Sequence, residues 1–544
     1  MADKIKDKDN YVLKSVVSTS LNMLLSMLTK VVNFIFNMLL LRIISKESYG
    51  LSKIYLEFVF LVLLFFPRET IRKSCQKYSA GGTEEEENKK IVEATQLCWK
   101  INLGVIFISI PVFFLFLFFA PILRDYKIHL AIYTLAANIE LMSEPVIINM
   151  NLRLEDRLKM FSFTISNYTR IISNYVIALV FVAYGWDLWS FTISRILAST
   201  AYISYLYYVA IFKLNYGRDV LVPNYDFKNF FSLNPKLKEI FISFCKTTGL
   251  KMILTYTEKT ILSFVLHQSE EEKGEYSFVV DNFAILVRYF LEPVEESFFN
   301  LTNKIKSSEV NKEQYIKNTN LKKVFIAFLR FMMIFGIIIS LYVFVLGKDV
   351  VIVLYTDKWS NPSTILILKT YSIYLGIIAV NGVIESFANA TFGSEEMGIF
   401  RQYMIFNSLM LIFLSNYLTK ESINGLIIAN GICMLFRIGV NCYLILTWRE
   451  LKDTVKEKLD EYVFIKVIRN TINFFREAFI KYISIITTLL CVSSIYLIRN
   501  YLFGENEKRM IMLGCSGVFF VINVYVIYKQ EKDEFADILK SKKD

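Results

Sequence analysis

The chain has 544 residues, of which 54% are hydrophobic, and its mean hydropathy is +0.43. A soluble protein of this length would divide into domains with polar surfaces, whereas apolar blocks of about 20 residues, enough to cross a bilayer, recur along this whole chain. The formal net charge of +11 needs no nucleic-acid partner, because cationic loops facing anionic lipid headgroups account for it. We therefore predict an all-α polytopic membrane protein.

Fourteen segments are predicted to span the membrane. The first follows "MADKIKDKDN", which lacks the apolar region of a cleavable signal, so we expect the first span to act as the insertion signal. The predicted spans lie near residues 15–41, 50–66, 92–120, 128–150, 160–184, 188–212, 239–266, 276–300, 324–346, 361–392, 399–418, 422–447, 477–498 and 510–528.

Lysines and arginines concentrate in the loops that share one side with the N-terminus. The positive-inside rule therefore places both termini in the cytosol. The 450–476 loop interleaves cations with apolar residues and is predicted to be a cytosolic interfacial amphipathic helix. The final "KSKKD", with Lys540 and Lys542, resembles a dilysine retrieval signal of the endoplasmic reticulum, and the alternative is a solvated lysine-rich tail.

A short Pro-x-Glu pattern occurs twice. Pro67-Arg68-Glu69 follows the second span, and Pro293-Val294-Glu295 lies 226 residues later in the eighth. The same offset aligns "LTKVVNFIFNMLLLRIISKESYG" with "LTYTEKTILSFVLHQSEEEKGEY". Internal repeats are typical of secondary transporters. We interpret the pattern as a helix broken or ended by proline with a carboxylate beside it.

Polar side chains follow helical stripes inside several spans, although each ionisable group at membrane depth costs about 2.5–3.5 kcal/mol or more. One interpretation is hydrogen bonding between packed helices. The other, which we favour for the whole set, is a hydrophilic cavity with excess positive charge that suits pyrophosphate. The stripes are Ser26, Lys30, Asn33 and Asn37; Ser162, Ser166, Arg170 and Ser173; Asp281, Arg288, Glu292 and Glu295; Asn381, Glu385 and Asn389; and Asn430, Arg437 and Asn441.

Catalytic and metal-ligating patterns are missing from the sequence. The seven cysteines form no CxxC pair, and His129 and His267 lie far apart, which argues against a zinc site. No phosphate-binding GxxxxGK[ST] loop occurs. We predict no enzyme activity, no metal and no cofactor.

Five segments resemble the eukaryotic Rft family. They are "FFPRETIRKSC", "ANIELMSEPVIINMNLRL", "VVDNFAILVRYFLEPVEESFF", "LKTYSIYLGIIAVNGVIESFANA" and "NGLIIANGICMLFRIG", and they occur in family order. In "NLRLEDRLK" the sequence departs from the family, because Glu155 stands where a cation is usual.

The resemblance implies the multidrug/oligosaccharidyl-lipid/polysaccharide exporter superfamily. The implied architecture has two six-helix bundles around a central cavity, here with two extra C-terminal helices. The implied divisions are an N-terminal bundle over 1–213, a cytosolic linker over 214–238, a C-terminal bundle over 239–447, the amphipathic loop over 448–476, the extra helices over 477–528 and a cytosolic tail over 529–544.

The resemblance also implies a function. It is the transfer of a dolichol-pyrophosphate-linked heptasaccharide (five mannoses, two N-acetylglucosamines) to the lumenal leaflet of the endoplasmic reticulum for N-glycosylation. The implied partners are this lipid, membrane lipids and the N-glycosylation machinery. Carried over by motif, the candidate positions are Lys30, Arg42, Arg68, Glu140, Glu144, Arg288, Glu295, Glu296, Asn381, Glu385 and Arg437.

We assign these and neighbouring residues two roles. Arg288 and Arg437 are predicted to hold pyrophosphate, with Lys30 and Arg42 approaching from the first half and Asn381 and Glu385 binding substrate. Glu69 and Glu295 are expected to pair with cations. The residues with a predicted structural or gating role are Pro67, Arg68, Glu69, Glu140, Glu144, Pro293, Glu295 and Glu296.

Two other functions stay open. A non-transporting scaffold could hold glycosylation enzymes or channel the lipid to them. A cation-coupled exporter of amphiphilic cations would favour excess carboxylates in the cavity, and the arginines argue against it. Lipid flux in liposomes that contain only this protein separates a transporter from a scaffold.

The predicted orientation can be tested in sealed microsomes. A tag after Asp544 should be digested by added protease, because the C-terminus is predicted to face the cytosol. Protection of the tag until detergent is added would contradict this topology.

Overall fold

The computed structural model describes residues 31–79, 84–152, 157–217, 221–222, 234–308, 319–392, 394–454, 482–498 and 509–540. Within these ranges the secondary structure is helical and contains no strand. Lys30, Glu155, Lys542 and most of the 450–476 loop lie outside the described residues.

The first compact unit, Met1–Gly274, contains eight helices and the start of a ninth. Helix α2 includes a π-helical segment at Leu51–Leu56, and α8 continues into another at Ile261–Val265. The helices are α1 (Val31–Ile43), α2 (Lys46–Tyr78), α3 (Glu84–Phe119), α4 (Lys127–Leu141), α5 (Glu144–Leu152), α6 (Arg157–Ala183), α7 (Asp187–Lys213), α8 (Pro235–Thr260) and α9 (Glu270–Leu286).

Helix α2 lies at the centre of the first unit. It packs against α3, α4 and α8, and α6 packs along α7. Ile71 and Cys75 of α2 are fully buried in an apolar core with Leu97 of α3, Ile148 of α5 and Leu237 of α8. This packing fixes the direction in which the polar residues of α2 point.

A proline separates α4 from α5, which the sequence had suggested as one span. Pro145 has no backbone N–H, so it favours the first turn of a new helix. Helix α4 ends at Leu141, and α5 begins at Glu144. Ser143 Oγ donates to the Glu140 carbonyl oxygen at 2.7 Å, which satisfies an acceptor at the break.

The second compact unit, Glu275–Asp544, holds the rest of α9 and seven further helices. A π-helical segment at Val287–Leu291 joins α9 to α10. The helices are α10 (Glu292–Ser308), α11 (Thr319–Tyr355), α12 (Pro362–Thr391), α13 (Ser394–Leu418), α14 (Asn424–Thr454), α15 (Tyr482–Ile498) and α16 (Arg509–Lys540).

Aromatic stacking and close helix packing hold the second unit together. The rings of Phe325 and Phe387 stack with centroids 4.2 Å apart, and Phe298 stacks on Phe328 at 4.7 Å. Helices α11 and α12 approach closely at Gly336, where a Cβ would lie 2.9 Å from the Ala379 Cβ. Small residues at such contacts let membrane helices pack tightly.

The predicted spans coincide with described helices along the chain, and the all-α class is confirmed. Nine helical segments of the described residues, one of which runs through α4 and α5, are long and apolar enough to cross a membrane, and three shorter helices are apolar. The two remaining predicted spans, 239–266 and 276–300, coincide with α8 and α9–α10. The compact units divide at Gly274, later than the predicted bundles, and the bundle boundaries stay a prediction.

The interpretation of Pro67 as a helix break is wrong. Pro67 lies inside α2, which continues to Tyr78. The missing N–H leaves one carbonyl without its helical bond, but the packing of the following turn in the apolar core holds the helix together. Pro293 lies in the first turn of α10, directly after the π-helical segment.

Phe298→Ala should lower the stability of the second unit. Phe298 is fully buried, and truncating a buried phenylalanine costs about 3–5 kcal/mol. Thermal unfolding in detergent measures the change. Phe413→Ala is the matched control because Phe413 is 73% exposed. Equal melting temperatures for the two variants would contradict the assigned core.

Candidate functional site

An ionisable cluster in the first unit joins three arginines to two buried carboxylates. We call it the arginine cluster: Arg68 and Arg72 of α2, Arg170 of α6, Glu140 of α4 and Glu144 of α5. Arg68 and Arg72 are four residues apart and so share one face of α2. Glu140 and Glu144 are likewise four residues apart, so both carboxylates lie toward that face.

Glu144 binds both arginines of α2. Arg68 Nε donates to Glu144 Oε1 at 2.7 Å. Arg72 forms two parallel bonds, from Nε to Oε2 and from Nη2 to Oε1, each at 2.8 Å. This bidentate geometry is the strongest arrangement between a guanidinium and a carboxylate. Glu144 therefore ties α5 to α2.

Glu140 joins two further helices to the cluster. Arg68 Nη2 and Arg170 Nη1 donate to Glu140 Oε1 at 3.1 and 2.7 Å. Ser199 Oγ of α7 donates to Oε2 at 3.4 Å. The carboxylate thus connects α2, α4, α6 and α7.

The arginine cluster carries one more positive than negative charge. The side chains of Glu140 and Glu144 are 1% and 0% exposed, whereas those of the three arginines are 21–29% exposed. Within the described part of the chain, the buried Arg170 Nε has no hydrogen-bond partner. The carboxylates are enclosed, and the exposed part of each arginine side chain leaves positive charge accessible to an anion.

A fourth arginine, Arg195, lies on α7. Arg195 Nη2 is 3.6 Å from Glu57 Oε1, and its guanidinium stacks over the Phe60 ring at 4.6 Å. Lys53 Nζ is 2.8 Å from the other Glu57 oxygen. Two cations therefore share one carboxylate, which extends the positive excess along α2.

Glu69 forms ion pairs with cations of two helices. Its Oε1 lies 2.9 Å from Lys73 Nζ and 3.0 Å from Lys251 Nζ of α8. Lys251 is half exposed, so these pairs contribute little to stability. They link α2 to α8 beside Pro67.

The second unit brings together three residues that the sequence assigned to substrate binding. Arg437 Nη2 of α14 forms a hydrogen-bonded ion pair with Glu385 Oε1 of α12. Asn381 Nδ2 donates to Glu385 Oε2 at 3.1 Å. Next to them, Tyr403 Oη of α13 donates to Asn441 Oδ1 at 3.1 Å. Arg437 is thus already paired with a carboxylate.

Glu295 lies against the backbone of α12. A Cβ at Gly382 would overlap the Glu295 carboxylate, so this glycine leaves room for the side chain in its present position. Among the described side chains none forms an ion pair with Glu295. Its predicted pairing with a cation stays a prediction, because the Arg288 side chain lies outside the described residues.

The other predicted residues are placed as follows. Arg42 is exposed at the end of α1, and Glu296 is exposed on α10. Arg288 lies in the π-helical segment Val287–Leu291. Lys30 lies outside the described residues. Substrate binding by Lys30, Arg42 and Arg288 and the structural or gating role of Glu296 stay predictions.

Sequence reasoning missed part of the arginine cluster. Arg72 is not among the candidate positions, although its four-residue spacing from Arg68 is a usable signal. Arg170 was found on a helical stripe but was given no role, and Arg195 was not singled out. The described residues contain no group of three or more His, Cys, Asp or Glu side chains that could hold a metal ion.

A family model described as "Rft-1: Rft protein" matches residues 14–541, nearly the whole chain. The chain belongs to the Rft family. Two Rft relatives are both named Man(5)GlcNAc(2)-PP-dolichol translocation protein RFT1. That of Xenopus tropicalis is 26% identical over 77% of this chain and 79% of its own length. That of Candida albicans is 22% identical over 95% and 93%.

Solved structures share the fold of this Rft protein. The lipid II flippase MurJ in an inward closed conformation matches with a TM-score of 0.62 and 16% identity, over 94% of this chain and 99% of that one. An inward-facing multidrug resistance MATE family transporter of the MOP superfamily matches with a TM-score of 0.58 and 10% identity, over 78% and 96%. This Rft protein is therefore a multi-pass membrane protein with the fold of that superfamily.

Glu144→Gln should destabilise the first unit of the Rft protein. Removing one partner of a buried ion pair costs about 3–5 kcal/mol, because the remaining charges are left uncompensated. Two arginines depend on Glu144. Melting in detergent and protein level in membranes measure the loss, and Glu239→Gln, at an exposed carboxylate of α8, is the control. Wild-type stability of Glu144→Gln would contradict the role of the cluster in joining α2 to α5.

Proposed function

We propose that this protein moves a dolichol-pyrophosphate-linked oligosaccharide, Man5GlcNAc2, from the cytosolic to the lumenal leaflet of the endoplasmic reticulum for N-glycosylation. The observation that carries the proposal is the match of the Rft model over residues 14–541. Curated relatives of nearly the same length bear the corresponding translocation name. Both termini are proposed to face the cytosol.

The arginine cluster supplies a contact for the anionic headgroup. Two phosphates and seven sugars cannot cross hydrocarbon without a polar path, since each exposed polar group there costs several kcal/mol. Arginine binds phosphate through planar, paired N–H donors. Glu140 and Glu144 hold the guanidinium groups in place before substrate arrives, so little side-chain entropy is lost on binding.

Arg437 and Arg288 are proposed as headgroup contacts of the second unit. Arg437 is held by Glu385, and a guanidinium bound on one edge keeps further N–H groups for a phosphate. Asn381 offers an unpaired buried carbonyl oxygen, within the described residues, that suits a sugar hydroxyl. Lys30 and Arg42 are proposed contacts of the first half.

No covalent chemistry is needed for this function. The headgroup is passed between polar contacts while the dolichol chain stays in lipid, so movement follows a gradient or an exchange. The carboxylates organise the arginines and need not titrate. A scaffold in N-glycosylation is the second candidate function, because the same charged clusters would also stabilise a non-transporting protein.

Flux of headgroup-labelled lipid into liposomes that contain only this protein tests the function. Arg170→Ala should reduce flux at least about tenfold, because a charge-assisted contact is worth roughly 1.5–3 kcal/mol. Arg401→Ala, at an exposed arginine of α13, is the control. Equal flux with protein and with empty liposomes would overturn the transport proposal in favour of the scaffold.

A paired comparison isolates substrate binding by Arg437. Arg437→Ala removes both the cation and its pair with Glu385, whereas Glu385→Gln removes the carboxylate charge and keeps the cation. If Arg437 binds pyrophosphate, Arg437→Ala should lose more flux than Glu385→Gln at equal protein level. Equal loss in both variants would mean that the ion pair itself is what matters. Arg288→Lys should lie between wild type and Arg288→Ala, since lysine keeps the charge without the paired donors.

A further inference from the structure

The first turns of α2 and α9 cross at two glycines, both within the first unit. A Cβ built on Gly50 would lie 2.5 Å from the Glu270 carbonyl oxygen and 3.0 Å from the Gly274 Cα. A Cβ on Gly274 would overlap the Lys46 carbonyl oxygen and lie 3.3 Å from the Gly50 nitrogen. The obstructing atoms are backbone, so any other residue would force the helix starts apart.

The contact is reciprocal, as at a two-fold axis. Gly50 meets Glu270 and Gly274, while Gly274 meets Lys46 and Gly50. Each helix also begins with a serine five residues before its glycine. Ser45 Oγ accepts from Ser48 N at 3.2 Å, and Ser269 Oγ accepts from Glu272 N at 3.3 Å. We call Ser45–Gly50 with Ser269–Gly274 the glycine crossing.

The crossing corrects the alignment of the two halves. An offset of 226, set by Pro67 and Pro293, places Gly50 on Tyr276. The contact geometry instead pairs Ser45 with Ser269 and Gly50 with Gly274, so the second copy has two more residues between its glycine and its proline. The repeat therefore extends to a small structural element that alignment on the prolines conceals.

Two buried lysines pair with carboxylates at the crossing, and the Glu271 side chain is 61% exposed. Lys46 Nζ lies 3.3 Å from Glu271 Oε1. Lys273 Nζ donates to Tyr55 Oη at 2.7 Å and lies 3.0 Å from Glu270 Oε1, which also accepts from Tyr55 Oη at 3.0 Å. Lys46 and Lys273 are 8% and 3% exposed. Such polar contacts can be exchanged for water if the helix starts separate, whereas an apolar core cannot.

We propose that the glycine crossing is a separable lock that closes the lumenal end of the translocation path and opens once in each transport cycle. The proposal rests on the proposed function and topology, which place the hairpins before α2 and α9 on the lumenal side. The closed lock has one well-defined arrangement, because the backbones of α2 and α9 are in direct contact at the two glycines. Opening breaks the contacts of the two helix starts, the pair of Lys46 with Glu271 and the hydrogen bonds of Tyr55 to Glu270 and Lys273.

Thiol labelling tests whether the crossing holds Leu51 shielded. Leu51, next to Gly50, is 2% exposed. The Leu51→Cys substitution is introduced into a protein whose native cysteines are changed to serine, and the rate of thiol modification is measured. Gly50→Ala and Gly274→Ala should each raise the rate of modification by a membrane-impermeant reagent at least tenfold. Gly104→Ala is the matched control, since a Cβ there meets nothing within 4 Å.

The two glycine variants are independent ways to open the lock, so failure of one to fold leaves the other to decide. A variant is compared only if it elutes as a single monodisperse peak in detergent, which shows that it is folded. Labelling at the control rate in a folded variant would overturn the proposed lock.

Reversible cross-linking tests whether the lock must open. Lys46→Cys with Glu271→Cys is bridged by a short bis-methanethiosulfonate. Lipid flux in liposomes should fall at least tenfold and return on reduction. Lys236→Cys with Glu239→Cys, two exposed positions on the first turn of α8, is the control pair.

The two proposals fail in different ways. If the cross-linked protein keeps its flux, the lock is overturned and the transport function stands. The same conclusion follows if the two cysteines do not cross-link in folded protein. Protein without flux before bridging would overturn the transport function. The glycine variants would still decide by labelling whether the crossing separates.

Discussion

A carboxylate inside a membrane protein is costly unless cations surround it, and Glu144 meets this constraint by binding two arginines of one helix. The position of α2 depends on that contact. The contact requires Arg68 and Arg72 on one face of α2 and Glu144 in the first turn of α5. Glu140 then adds α6 and α7 through Arg170 and Ser199. A polar network thus organises the helices of the first unit.

The two units differ in the sign of their polar groups. The arginine cluster holds three cations against two enclosed carboxylates. In the second unit, Glu385 forms an ion pair with Arg437. Glu295 lies against Gly382 without a cationic partner among the described side chains. Excess positive charge suits an anionic headgroup, so the first unit is the stronger candidate for phosphate contact. The carboxylates of the second unit instead hold Arg437 in place.

The repeated halves have kept backbone geometry more closely than side-chain chemistry. Gly50 and Gly274 meet reciprocally, and each follows a serine cap by the same spacing. The charges around them differ, because Lys46 corresponds to Glu270. The ion pair of Lys46 with Glu271 has no counterpart across the contact, because the equivalent residues, Glu270 and Glu47, carry the same charge. Backbone proximity needs only glycine in both.

The sequence by itself determined the helical membrane class, the approximate spans and the family, because these depend on hydropathy and on short motifs that are local in the chain. It also pointed to Arg68, Glu140 and Glu144. Tertiary structure decided which charges meet. Arg170 joins Glu140 across 30 residues, Arg437 is held by Glu385 across 52, and Gly50 packs on Gly274. Spacing along one helix fixes a shared face, but the partner on another helix depends on packing that no local pattern encodes. Pro67 shows the same limit, since the core around the following turn keeps α2 continuous where proline alone predicts an end.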